Sequence, residues 1–122
     1  MGAAIDTATE TSIAGGVCCQ PLAEDPLGQP DAERLAQTLK ALADPARLRL
    51  LSIVAASADR EACVCDLTDP VGLSQPTVSH HLKVLTDAGF LSRSKRGTWA
   101  YYRLQSGALN EIASFLATHS ER

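Results

Sequence analysis

A mainly α-helical domain carrying one β-hairpin is what this sequence predicts, on three observations. Apolar residues make up 45% of the chain but aromatics only 4%, which suits a helical core of Leu, Ala and Val rather than a β-sandwich. Leucine and valine recur every three or four positions in several separate segments. One stretch, "FLSRSKRGTWAYYRL", is instead rich in aromatic and branched residues on either side of a polar turn. With 122 residues there is room for one domain and a modest core, marginal as an isolated monomer.

Residues 1–30 have neither a helical nor a strand period and read as a flexible N-terminal arm, rich in Ala, Thr and Gly and then in Pro. The structured domain is expected to span residues 31–118. Its first helix starts at Asp31, where "DAERLAQTLKALA" sets Leu35, Leu39 and Leu42 at helical spacing. Asp44 and Pro45 restart a helix, one as cap and the other in the first turn. Leu48, Leu51 and Val54 are its expected buried stripe, with Arg47 and Arg49 at the edges. Residues 55–62 read as a polar connection, and a short helix follows over about Val64–Pro70, closed by the turn "VGLS".

The next helix is "SQPTVSHHLKVLTDAG": Ser74 caps it, Pro76 is tolerated in its first turn, and Gly89 stops it. Val78, Leu82, Leu85 and Ala88 face inward; Ser79, His80, Lys83 and Asp87 face outward, with Gln75 and Thr77 at the exposed N-terminal turn. Phe90–Arg93 and Thr98–Leu104 then form the hairpin strands, with "SKRG" as a basic tip in which Gly97 supplies positive φ. A fifth helix, about Ser106–Thr118, spaces Leu109, Ile112, Ala113 and Leu116 for an apolar face that docks on a second copy.

Two short helices joined by a Gly-containing turn, the second running into a basic hairpin, describe a winged helix-turn-helix. Such a unit sets its second helix in a DNA major groove and its hairpin tip along the backbone or in the minor groove. The residue types suit that role. Gln75 can make a bidentate contact to adenine, Ser74, Thr77 and Ser79 can bond bases or phosphates, and His80 and Lys83 can reach phosphate or guanine. Arg93, Lys95 and Arg96 supply charge at the wing, while His81 is read as helix packing. The net charge of -3 conceals an uneven distribution. Residues 1–73 hold eleven acids against five bases, whereas residues 74–103 hold five bases against Asp87 alone. The competing reading, a helix and hairpin that merely complete a core, gives no reason for a polar, acid-poor exposed face.

No apolar run approaches the roughly 20 residues of a membrane span. No basic region followed by an apolar stretch opens the chain, so a secretory signal is not expected and the cytoplasm is the expected compartment. In that compartment paired cysteines serve as metal ligands or redox groups more often than as structural disulfides.

The segments "LKALADPARLRLLSIVA", "CVCDL" and "GLSQPTVSHHLKVLTDAGFLSRSKRGTWAYYRL" together resemble the ArsR/SmtB family of metal-responsive repressors, over about Leu35–Leu109. The resemblance implies a homodimer packed through its first and last helices. It would sit on a two-fold symmetric operator near a resistance operon and leave on binding metal. It further implies that Cys63 and Cys65 are thiolate ligands for As(III) or Sb(III), or alternatively for Cd(II) or Pb(II). Soft ions select thiolate, which agrees.

Two residues apart on a regular helix point about 200° apart, so both thiols reach one ion only if this turn is irregular. A CxC pair supplies two donors where As(III) needs three. Some members of the family add arm cysteines, which makes Cys18 and Cys19 candidate ligands, in the same subunit or across the dimer; the alternative is that they are incidental. Other members bind ions between their last helices, but the matching positions here are Ser106, Ala108, His119 and Arg122, and one histidine is not a site. Two further readings stand beside the metalloid repressor: a thiol-redox-sensing repressor of the same fold, and a small thiol enzyme such as an arsenate reductase. The enzyme is disfavoured because the chain has no C-x5-R anion cradle, no CxxC and no central sheet. Neither a small organic substrate nor a membrane partner is expected.

Overall fold

The structure, a computed structural model, describes residues 26–120. Cys18 and Cys19, and with them most of the arm read over residues 1–30, lie outside the described residues. The elements are α1 (Gln29–Leu42), α2 (Pro45–Ala56), β1 (Glu61–Cys63), α3 (Thr68–Val71), α4 (Gln75–Asp87), β2 (Leu91–Arg96), β3 (Trp99–Leu104) and α5 (Ser106–Ser120). Short 3-10 turns at Ala58–Arg60 and Val64–Asp66 flank β1. The three strands form one antiparallel sheet in the order β1-β3-β2. This is a winged helix-turn-helix.

Helix starts and stops follow the capping chemistry. Asp44 accepts a hydrogen bond from the Arg47 amide at 3.1 Å, and Ser74 does the same for Thr77 at 3.4 Å. α3 ends at Gly72, whose left-handed φ of 67° turns the chain into α4. At the far end of α4 the Gly89 amide donates to Thr86 and the Phe90 amide to Leu85, at 3.1 and 2.9 Å. This is a Schellman closure, and it drives Phe90 into the core. α1 begins at Gln29, two residues before the first periodic residue, because Pro30 suits a first turn and needs no leucine to do so.

Leu50, Val54, Leu67, Val78, Leu82, Leu85 and Phe90 are the fully buried centre, drawn from α2, the 3-10 turn after β1, α4 and its closure. Two expected core positions are corrected. Leu48 is 50% exposed and Leu39 38% exposed. On α2 the buried set is Leu50, Leu51 and Val54, because "LRLLSIV" is apolar on nearly every side and its spacing alone does not select a face. On α5 only Ile112 is buried, while Ala113 is exposed and Leu116 is 55% exposed.

The stretch 55–62, read as a polar connection, contains the end of α2 and most of β1. Asp59 and Arg60 both take positive φ, at 57° and 54°, and swing the chain back so that Ala62 pairs with Tyr102. Such φ values cost an L-residue roughly 1–2 kcal/mol. The hairpin turn is also tighter than "SKRG" suggests. Arg96 pairs with Trp99, leaving only Gly97 and Thr98 in the turn, with Gly97 at φ 65°. Ser94, Lys95 and Arg96 are therefore strand residues, and strand parity rather than turn geometry sets where each one points.

Candidate nucleic-acid interface and thiol pair

α4 buries Val78, Leu82 and Leu85, and Gln75, Ser79 and Lys83 form the adjoining row, about a quarter turn round the helix, with Ser79 half-buried. In the hairpin Leu91 is buried at the base while the rest of β2 is exposed, so the wing stands away from the body. Between the wing and α4 lies a cleft of about 660 Å³, lined by Gln75, Ser79, Lys83, Arg93, Lys95 and Trp99 among others. Arg93 and Lys95 are two apart on β2 and share the face that looks toward α4. Five of the nine expected DNA-contact residues thus converge on one cleft.

The remaining four differ in placement. Ser74 and Thr77 form the first turn of α4, where the Ser74 hydroxyl donates to Thr77 Oγ1 at 2.9 Å, and both are exposed. His80 is exposed beside the cleft rather than in it. Arg96 lies on the other side of the sheet: its guanidinium sits 4.5 Å above the Tyr101 ring and donates to Glu61 Oε2 at 2.6 Å. Its charge is engaged there instead of facing the cleft with Arg93 and Lys95. Lys83 donates to Asp87 at 2.9 Å, and that hydrogen bond, with the charge behind it, raises the pKa of its ammonium above the ordinary lysine value. Asp87 faces outward as the sequence predicts, whereas Trp99 was absent from the sequence reading of this surface. The "WAYY" run marks a strand, and the register pairs its Trp99 with Arg96 at the turn end of the hairpin.

His81 faces inward, as its packing role requires. Its Nδ1 lies 3.3 Å from the Arg47 guanidinium, whose Nε also donates to the Ala41 carbonyl at 2.7 Å. Arg47 thereby joins the end of α1, the start of α2 and the middle of α4. Arg49 donates to the Pro70 carbonyl at 2.8 Å and fastens α3 to α2.

Just ahead of α3 the backbone at the cysteines is irregular, as the 200° argument demands. Cys63 ends β1 in an extended conformation (φ -76°, ψ 145°), and Cys65 lies in the following 3-10 turn. The Cα atoms are 5.2 Å apart and the two sulfurs are joined as a disulfide. The Cys65 amide donates to Cys63 Sγ at 3.3 Å. Cys63 is 3% exposed against Tyr101 of β3, while Cys65 is exposed, so the pair has one buried and one open edge. Reduction would leave two thiols in reach of one ion. Among the described residues no group of three His, Cys, Asp or Glu side chains comes together. His119 bonds within its own helix, to the Phe115 carbonyl at 2.8 Å.

Comparison with known proteins gives a consistent picture. The family described as "Bacterial regulatory protein, arsR family" matches residues 44–93. An uncharacterized HTH-type transcriptional regulator of Methanocaldococcus jannaschii is 39% identical over 66% of this chain and 88% of that one. The arsenical resistance operon repressor of Bacillus subtilis is 38% identical over 64% of this chain and 72% of its own length. The crystal structure of an ArsR family transcriptional regulator superposes with a TM-score of 0.66 at 26% identity, covering 74% of this chain and 90% of that one.

Proposed function

The chain belongs to the arsR family of DNA-binding transcriptional repressors, not enzymes, and we propose that it controls a metal(loid)-resistance operon, leaving its operator when Cys63 and Cys65 capture As(III) or Sb(III). One observation carries the reading. Two sulfurs are brought into contact by a backbone break that leads, through α3, directly into the helix bearing Gln75, Ser79 and Lys83. Soft trivalent ions take thiolate donors, and a CxC held in this conformation offers two at once. The third donor assigned here is Cys18 or Cys19. Cd(II) or Pb(II) would use the same donors with both arm thiols.

In this reading α4 enters the major groove with its N-terminal turn foremost, and Arg93 and Lys95 of the wing meet phosphates. The protein acts as a homodimer in the cytoplasm. Support for the dimer comes from the exposed leucines left on the first and last helices, Leu39 and Leu116, on a chain whose own core is small. No described helix is long and apolar enough to cross a membrane.

A second reading is favoured by the sulfur contact itself. Cys63 and Cys65 can form a disulfide by giving two electrons and two protons to an oxidant such as a low-molecular-weight disulfide, and the repressor would then sense thiol redox state. The two readings separate in one experiment. Reduced protein on promoter DNA is titrated in parallel with arsenite, cadmium, lead and zinc, and separately with oxidised glutathione. Release by arsenite under reducing conditions, rising in affinity as pH approaches the thiol pKa of about 8.5, is the expected result. Release by oxidant alone, with no bound metalloid, overturns it in favour of the redox reading.

A further inference from the structure

Cys63 and Cys65 carry the same group in different surroundings. Cys63 is 3% exposed at the end of β1, opposite Tyr101, and its neighbours Ala62 and Val64 are buried with it. Cys65 is exposed, as is Asp66 after it. The turn that carries Cys65 is held at its far end. Leu67 is fully buried, its amide donates to the Val64 carbonyl at 3.1 Å, and the Thr68 hydroxyl donates to the same carbonyl at 3.2 Å. Inside the turn the Cys65 amide donates to Cys63 Sγ, which keeps the buried sulfur beside the open one. Thiol–disulfide exchange requires the reagent to reach the attacking thiol. A reagent the size of a tripeptide disulfide reaches Cys65 and is kept from Cys63.

We propose that Cys65 is a site of S-thiolation by low-molecular-weight disulfides, and that Cys63 is the resolving thiol that converts the adduct into the Cys63–Cys65 disulfide. The proposal rests on the thiol-redox reading of the pair and assigns each sulfur its part. In the first step the Cys65 thiolate attacks one sulfur of the reagent. A Cys65–reagent S–S bond forms, the reagent's own S–S bond breaks, and one thiolate leaves and takes up the proton that Cys65 gave to solvent. In the second step the Cys63 thiolate attacks Cys65 Sγ, the internal disulfide forms, and the second reagent thiol departs with the proton from Cys63. Two cysteine thiols are thereby oxidised and one reagent disulfide is reduced to two thiols. Both donors for As(III) are consumed, so the oxidised turn offers arsenite no thiolate until a reductant restores it.

The test uses the full chain with Cys18→Ser and Cys19→Ser, so that every adduct reports on this pair. The reduced protein is mixed with oxidised glutathione, and intact mass is followed in time. With both thiols present the expected product is the internal disulfide, two hydrogens lighter, with little glutathionyl adduct at any time. Adding Cys63→Ser should leave a stable adduct of one glutathionyl group on Cys65. Adding Cys65→Ser instead should slow adduct formation by at least about tenfold, a difference that vanishes in concentrated urea, where both thiols are open. Should Cys65→Ser fail to fold by circular dichroism, fragmentation of the early adduct on the chain with both thiols locates the glutathionyl group, expected on Cys65. Equal rates for the two folded variants, or an early adduct on Cys63, overturn the proposal. Anisotropy of dye-labelled promoter DNA on the same samples keeps the two readings apart. Modification in the expected order without release of DNA overturns redox sensing and leaves Cys65 as the modified thiol. No reaction at either sulfur overturns both.

Discussion

Arg93 and Arg96 are three residues apart on one strand and carry the same charge, yet the sheet sends them to opposite sides. Arg93 lines the cleft, while Arg96 stacks on Tyr101 and bonds Glu61. Arg93→Ala should therefore weaken all DNA sequences alike and flatten the dependence of log K on log salt by about 0.9 for the one lost phosphate contact. Arg96→Ala should change that slope little. Equal slopes for the two variants would show that both, or neither, face the backbone. Asp44 supplies a pH test. The Arg47 amide hydrogen bond, opposed by partial desolvation and aided by the Arg47 guanidinium, holds its carboxyl below the ordinary value. A carboxyl depressed on folding stabilises above its unfolded pKa of about 3.9 and loses that stabilisation as pH falls through the folded value. Asp44→Ala should melt below wild type at neutral pH, with a gap that narrows on acidification below about pH 4; a constant gap would exclude the charge from the cap's effect. The polar face of α4 was legible in the sequence because the spacing of Val78, Leu82 and Leu85 turns His80, Lys83 and Asp87 to solvent, with Ser79 half-buried at the edge of the stripe. The fate of Arg96 was not, because its direction depends on where a two-residue turn begins.

Among the elements, β1 was the hardest to read and is the most consequential. Its three residues carry no alternation long enough to mark a strand, and their extended form comes from pairing with β3. The longer helices, by contrast, were readable within a few residues from caps and leucine spacing alone. With β1 in place, Cys63 is attached to both reading elements: forward through α3 to α4, and sideways through its pairing with Tyr101 to the wing. The Glu61–Arg96 bond closes a second link across the same sheet. Capture of an ion at the thiols would pull on β1 and so displace the wing as well as the recognition helix. Glu61→Gln is expected to keep operator binding and to require more arsenite for half-release, because one of the two links is loosened. An arsenite midpoint identical to wild type would remove the wing from the route and leave α3 as the sole connection.

For the molecule as a whole, release requires the ion to bind the DNA-free form more tightly than the DNA-bound form, and DNA must then weaken ion binding by the same factor. In a dimer, two recognition helices must match half-sites about 34–36 Å apart, so under the proposed mechanism a small shift at each Cys63–Cys65 turn would be read out twice. The sequence made the need for an irregular turn at this pair legible from helical geometry, but not the strand that produces it. The most direct test of the central claim is operator release by arsenite, followed by fluorescence anisotropy under reducing conditions, in wild type, Cys63→Ser and Cys65→Ser. All three are expected to bind the operator with nearly equal affinity, since neither sulfur lines the cleft between α4 and the wing, and only wild type is expected to let go when arsenite is added. Release of either serine variant at the wild-type arsenite concentration would contradict it.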